Sequence, residues 1–390
     1  MRTRDSQSDV ELDVGRAADY LNMPHSRLQT LVDKRDIRQN WGEYQHLFRF
    51  DTTVAGIESG SVLYQRAGNF ELIRGFPKIR RAMLLEPAVY NHFSTIDSVV
   101  VEEKMNGYNI RMVSIDDHPV AITRSGYVCP YSTEKAEHLL DASFFSDHPD
   151  LVLHGEMAGP DNPYVPKDIY DIESLEFFVF DIRKKGTGEP YPVEERRKLA
   201  SEYAFTQAQL FGEFPTDVAP EKIQHIIQGL GAIEHEGVVI KDPDMLVPPI
   251  KYTCSQSNCA DLRHAFKFYN EVGRDYLFSR IVREGFQAVE WNEGPQQLDE
   301  RCLRLGKSII YPMMDAIRHI GDGERIADDV QIRVQDLDTV GKFKEYLRRL
   351  GVDAIFSAPE RIGDEYLVRI KKPNRSTNDK TDAMWKGDLW

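Results

Sequence analysis

The segment Val99-Val100-Val101-Glu102-Glu103-Lys104-Met105-Asn106-Gly107-Tyr108-Asn109 puts a lysine where an amine can meet a phosphate. Its β-branched run predicts a strand, and Asn106-Gly107 predicts a turn at the strand's end. A lysine at the mouth of such a turn suits nucleophilic attack on a phosphoryl group. Near its usual pKa of about 10.4 the side chain is a cation and does not attack. Neighbouring cations or removal from water must first lower that value. In isolation the pattern also fits an exposed lysine beside a β-turn. Its meaning depends on whether the rest of the chain supplies cations, a base pocket and carboxylates for a metal.

The chain that must position Lys104 has 390 residues, enough for two or three domains and a sizeable core. Hydrophobic residues make up 41% and aromatics 10%, a globular composition. No apolar run approaches the eighteen or so residues of a membrane span. The start, Met1 to Asp9, is polar and lacks a secretory apolar stretch, so a cytoplasmic location and no membrane partner are expected. Four cysteines do not make a disulfide framework, and Cys254, Cys259 and Cys302 fall short of a zinc pattern. The net charge of −14 argues against coating nucleic acid along a broad surface, though not against a local basic groove. Basic residues do cluster, at Arg74, Lys78, Arg80 and Arg81, at Arg183 to Lys185, and at Lys371, Lys372 and Arg375. Each cluster also reads as a solvated face.

Along the chain, residues 1–90 alternate polar helical stretches with short apolar runs and carry no cofactor motif. Between Ser98 and Thr253 the pattern is strand-rich, with apolar runs at 110–115, 120–124, 151–157, 175–182, 237–241 and 250–253. Helices are expected at 134–145, 192–205 and 220–230. Strands with inserted helices and no strict βαβ alternation predict an α+β domain rather than a dinucleotide fold. Residues 261–291 read as one helix with an aromatic stripe suited to a core or a subunit interface, and 305–320 as another. The tail, with strands at 330–334, 354–357 and 366–370 around a helix at 340–350, reads as a small α/β unit. The expected parts are therefore an N-terminal accessory module (1–90), a catalytic domain (91–255), a helical linker or dimerisation region (256–300) and a C-terminal α/β domain (301–390).

Within the strand-rich region, polar residues recur in a fixed order. Lys104 is followed by Arg124-Ser125-Gly126, then by Gly155-Glu156, Phe178-Val179-Phe180-Asp181, Glu236-Gly237-Val238-Val239-Ile240-Lys241 and Pro249-Ile250-Lys251-Tyr252-Thr253. In this order the chain resembles the covalent nucleotidyltransferases, the superfamily of ATP-dependent ligases and mRNA capping enzymes. Lys-x-Asn-Gly-Tyr-Asn, with the tail segments Ser376-Thr377-Asn378-Asp379-Lys380-Thr381 and Gly387-Asp388-Leu389-Trp390, is most similar to the archaeal ATP-dependent RNA ligases. The resemblance implies an ATP-grasp-like ligase adenylation domain of mixed antiparallel sheets. It also implies three nucleotidyl transfers that join the 5′-phosphate and 3′-hydroxyl of single-stranded RNA, within or between strands. Single-stranded DNA is a second polymer to consider, and a homodimer built through the C-terminal region is implied.

The residue types suit those roles. Lys104 would attack the α-phosphate of ATP and hold AMP. Lys241 and Lys251, if they converge on the same phosphate, would lower the Lys104 pKa and neutralise phosphoryl charge. Glu236 and Glu156 offer hard oxygens for Mg²⁺ or Mn²⁺, and in the family the acid matching Glu156 also contacts the ribose. Phe180 offers a flat face for adenine, or else a core strand aromatic. Glu102 would read the adenine amino group, as the acid two residues before the lysine does in ligases, while Glu103 alternates to an exposed face. Arg124 suits ribose or phosphate oxygens. Asn109 marks RNA ligases and is placed to hold metal-bound water; Asn106 serves the turn or the chemistry. His235 is not expected to act as a general base. The rival readings are a DNA ligase, a GTP-using capping enzyme, or a binding protein that kept the pocket without the chemistry. The first two carry an arginine at the place of Asn109 and append a five-stranded barrel, which the tail does not resemble.

Overall fold

The computed structural model describes residues 10–164 and 168–389. The polar start, Met1 to Asp9, and the terminal Trp390 lie outside the described residues. Two sheets carry the site. In the first, the strands run in the order Leu210–Pro215, Ser98–Lys104, Gly237–Lys241, Ile250–Thr253 and Arg80–Arg81. All its pairs are antiparallel except the last. Val99, Val101, Val238 and Ile240 bury one face of this sheet against the helices Leu85–His92 and Ala219–Ala232. The second sheet is antiparallel throughout, in the order Glu176–Lys184, Leu151–Ala158, Tyr108–Ile115 and His118–Thr123. Lys104 ends a strand of the first sheet and Tyr108 begins one of the second. The Asn106-Gly107 turn therefore bridges the two sheets, as its sequence requires.

The N-terminal part differs from its expected helical character. Two helices, Val14–Tyr20 and His25–Asp33, accompany a four-stranded antiparallel sheet of Ile37–Gln39, Leu47–Phe50, Val62–Arg66 and Asn69–Ile73. Strands of three to five residues show too few alternations to declare themselves in a sequence. The expected boundary at residue 90 also moves, because Arg80–Arg81 and the helix Leu85–His92 belong to the first site sheet. Asn40 holds the neighbouring sheet's turn, its Nδ2 donating to Gly126 O at 2.9 Å and its Oδ1 accepting from Val128 N at 3.1 Å. Fully buried Arg111 donates to Arg74 O, Gly60 O and Thr123 O, tying the same turn to the N-terminal sheet.

The expected helix at 261–291 is two helices, Ser255–Lys267 and Arg274–Glu290, separated at Gly273. The next helix begins at Pro295, a favoured first position, and runs through Pro312 to Gly321. It crosses the expected boundary at residue 300. The tail is the expected strand–helix–strand–strand unit: Ala327–Val334, Leu337–Arg349, Ile355–Phe356 and Glu365–Pro373, with one more short strand, Glu360–Ile362, before the last. A final helix, Arg375–Trp385, returns to Pro295–Gly321, where Trp385 Nε1 donates to Ile317 O at 3.0 Å. Phe343, Tyr346 and Leu347 share one core with Tyr131, Ala136 and the second site sheet. The C-terminal unit is thereby packed onto the site rather than hung from it. Among the described residues no helix is long and apolar enough to cross a membrane.

Candidate active site

Strand register sets the site out in two rows. Glu102, Val239, Lys251 and Arg81 are successive partners across the first sheet. Lys104, Gly237 and Thr253 form the next row, two residues along each strand. Directly opposed residues share a face, so all of these point the same way. Gly237 has φ +151°, and a Cβ there would lie 2.3 Å from Tyr252 O. No side chain can therefore stand between Lys104 and Thr253.

Lys104 Nζ donates to Glu236 Oε2 at 2.6 Å. Burial alone would lower the Lys104 pKa, but Glu236 and then Glu156 outweigh it and hold the pKa above its ordinary value. This corrects the expectation of a lysine made neutral by neighbouring cations. Two other amines are the depressed ones: Lys251, brought down to about 8 by burial and then by Lys104 and Arg81, and Lys241, lowered by burial against the pull of Glu102.

Lys241 is also placed otherwise than expected. Its Nζ donates to Glu102 Oε2 at 2.6 Å and to Phe180 O at 2.7 Å. Glu102 in turn accepts from Arg196 and Arg197 of the helix Val193–Glu202. Burial works against the Glu102 carboxylate, yet Lys241 and Arg196 hold its pKa at about 2. Both oxygens of Glu102 are thus occupied by cations, in place of the expected free carboxylate reading an amino group. Glu103 is buried rather than exposed, and pairs with His235 Nδ1 at 2.6 Å. His235 Nε2 lies 3.2 Å from Ile169 O, so the ring fastens two segments together.

Across the turn, Asn109 is the strand partner of Glu156. Glu156 Oε1 accepts from Gly107 N at 3.3 Å. Burial raises its pKa to about 7, with Lys104 opposing the rise and Glu236 adding to it. Asn109 Oδ1 is buried without a hydrogen-bond partner. An orphaned amide oxygen across from Glu156, which itself feels the Glu236 carboxylate, is a hard-oxygen donor set that fits Mg²⁺. Among the described residues no three His, Cys, Asp or Glu side chains cluster as a metal cage. Two carboxylates with substrate phosphates completing the shell is the usual arrangement for that ion. Asn106 N donates to Tyr170 OH at 2.7 Å, which gives Asn106 a part in the turn.

Phe180 owes its position to a β-bulge. The register jumps from Val179↔Gly155 to Asp181↔His154, leaving Phe180 as the extra residue, and it lines the pocket. Phe76 packs edge-on against it at 5.3 Å. Arg124 sits on the turn that the N-terminal sheet supports: a Cβ on Gly60 would lie 2.0 Å from Arg124 O. Among the described residues neither Arg124 nor Lys251 has a carboxylate within 4.0 Å, the ion-pair limit.

Lys104, Asn109, Arg124, Glu156, Phe180 and Lys251 line a cavity of about 890 Å³, the size of a nucleotide site. Phe76 and, from the C-terminal unit, Tyr346 also line it. Sequence reasoning missed both, and it left Arg81 in a basic cluster; no local motif marks them, because only the tertiary fold brings them to the site.

The description "RNA ligase" fits a family model over residues 97–253, and "Ligase Pab1020 C-terminal region" fits one over residues 264–388. An uncharacterized protein of Methanocaldococcus jannaschii is 36% identical over 388 residues, covering 97% of each chain. Two solved forms of an archaeal ATP-dependent RNA ligase superpose with a TM-score of 0.91 at 41% identity, over 97% of this chain and all of theirs. Identity and fold agree over nearly the whole length, and the chain belongs to the archaeal ATP-dependent RNA ligase family.

Proposed function

We propose that this chain seals RNA by the chemistry of three successive phosphoryl transfers. Lys104 Nζ attacks the α-phosphate of ATP; a P–N bond forms, the bond to pyrophosphate breaks, and AMP remains on the lysine. The base nearest the departing proton is Glu236. The AMP then passes to a 5′-phosphate, restoring the lysine, and a 3′-hydroxyl displaces AMP to make the phosphodiester. The observation that carries this reading is Lys104 lining the 890 Å³ cavity, flanked by Lys251 and Arg124, neither of which has a carboxylate in ion-pair contact among the described residues. Those two cations suit the phosphoryl oxygens, where charge grows as the P–O bond breaks. Glu156, Glu236 and Asn109 would hold the divalent metal, which polarises the α-phosphate when bound. Phe180, edged by Phe76, suits the adenine.

Single-stranded RNA with a 5′-phosphate is the proposed polymer. Incubation of 5′-labelled RNA with ATP and Mg²⁺ tests it. The label should become resistant to phosphatase, in circles or joined strands, and Lys104→Ala should abolish this. Joining of DNA with RNA left untouched would contradict the polymer assignment.

The reading also includes a homodimer. Phe278, Ile281 and Val289 on Arg274–Glu290, with Leu303, Ile310 and Tyr311 on Pro295–Gly321, expose apolar side chains on two long helices. Such a surface calls for a partner. Light scattering at twice the monomer mass, reduced by Phe278→Glu, is the expected result.

A further inference from the structure

Beyond the strand partners of Lys104 and Lys251 lie two arginines that the reaction as described does not use. Arg81 is the strand partner of Lys251 on the sheet's edge. Arg283 reaches the same place from the helix Arg274–Glu290. Both guanidinium groups donate to one neutral atom, Thr253 Oγ1: Arg81 closely and Arg283 at 3.4 Å. Among the described residues neither has a carboxylate within 4.0 Å, although each is largely shielded from water. Their neighbour Arg280 differs: it pairs with Asp261 at 2.7 Å and lies 3.3 Å from the centre of the Tyr276 ring.

Two like charges drawn to one hydroxyl repel each other and lose solvation, and Glu236, Asp261 and Glu284, none in ion-pair contact with either, offset only part of that loss. Burial first, and the neighbouring arginines next, bring the Arg283 pKa down to about 10. A tie between helix and sheet needs only one donor, and a carboxylate or carbonyl would serve it better. What the arrangement lacks is an anion in direct contact with either guanidinium. Guanidinium forks match phosphate oxygens in pairs, and a hydroxyl between them adds a further donor. Thr253 stands two strands from Lys104, about 10 Å between backbones, with only Gly237 between.

We propose that Arg81, Arg283 and Thr253 form a phosphate-binding site beside Lys104. Its occupant is a terminal phosphate group, supplied either by the tail of ATP or by the 5′ end of the RNA. The proposal rests on the ligase reading for its occupant, while the anion site itself is testable without catalysis.

The first test is thermal melting of the full chain with and without millimolar inorganic pyrophosphate. Pyrophosphate should raise the wild-type Tm. Arg81→Gln and Arg283→Gln should melt at or above the wild-type temperature without anion, since each removes a repelling charge. Each should lose at least half of the pyrophosphate shift, and Arg283→Lys should recover part of it. Lower basal melting with an undiminished shift would overturn the site. So would a wild type that does not respond.

Single-turnover rates then distinguish the source. A tenfold or greater loss in lysyl-AMP formation assigns the ATP tail. The same loss confined to AMP transfer onto 5′-phosphorylated RNA assigns the polynucleotide end. Losses confined to the joining of RNA already adenylylated, or none at all, overturn the proposal. A wild type that forms no lysyl-AMP overturns the ligase reading instead, and the melting result still decides the anion site.

Discussion

Lys104 Nζ and Glu236 Oε2 lie 2.6 Å apart, in an ion pair that keeps the nucleophile protonated. Before attack that pair must give way. Glu236→Gln keeps the shape of the partner but removes its charge, so burial then acts on Lys104 with less opposition. Labelling of Lys104 by an amine-acylating reagent at pH 8, read by mass, should quicken several-fold. Adenylylation in Mg²⁺ should nonetheless slow at least tenfold, because a proposed metal ligand is gone. Unchanged labelling would show that the pair does not control the lysine.

The two later lysines should separate cleanly on substitution. Lys241 is buried against Glu102, and Lys241→Ala should destabilise the fold by about 3 kcal/mol by leaving a buried carboxylate short of a partner. Among the described residues Lys251 has no carboxylate in ion-pair contact, so Lys251→Ala should keep its melting temperature within a few degrees while lysyl-AMP formation falls a hundredfold or more. Chemical denaturation beside single-turnover kinetics checks both. Equal stability losses would contradict the division of labour.

Glu156 ties stability to pH. Its folded pKa of about 7 exceeds the usual 4.5, so the folded chain holds this proton more tightly than the unfolded chain does. Its contribution is fully present below about pH 4.5 and is lost as pH rises through about 7. Glu156→Gln should remove this loss, gaining on the order of 2 kcal/mol relative to wild type between pH 5 and pH 8. Added Mg²⁺, competing with the proton, should raise the wild-type Tm more at pH 8 than at pH 6. Parallel stability curves for the two proteins would contradict the assignment.

The N-terminal module acts on the site through Gly60. Its φ is +83°, and a Cβ would strike Arg124 O. Gly60→Ala should cost about 1–3 kcal/mol from backbone strain and displace the Arg124 turn. Activity should fall with KM for ATP raised, and Arg124→Ala in the same background should add little further. Full additivity in that double mutant would mean that the module does not position Arg124.

How much of this was legible from the sequence depends on where each signal lies. The strand ending in Lys104, the turn at Gly107 and the strand Gly237–Lys241 announce themselves locally through β-branched runs and glycine. Phe180 was named from its strand, although the bulge that turns it into the pocket leaves no sequence mark. Glu102 and Glu103 were misjudged because alternation tells which face a residue takes, not what covers it. Arg196 and His235, distant in sequence, decide that. Arg81 enters the site through the register of a two-residue edge strand and Tyr346 through the packing of the C-terminal unit, neither of which a single sequence displays.

RNA sealing by this chain turns on covalent charging of Lys104. The purified chain, stripped of any bound AMP with pyrophosphate and checked by mass, is incubated with Mg²⁺ and α-labelled ATP or GTP, with Lys104→Ala alongside. Acid-labile label from ATP alone that disappears in the variant is the predicted result. Label from GTP, or label retained by Lys104→Ala, would contradict it.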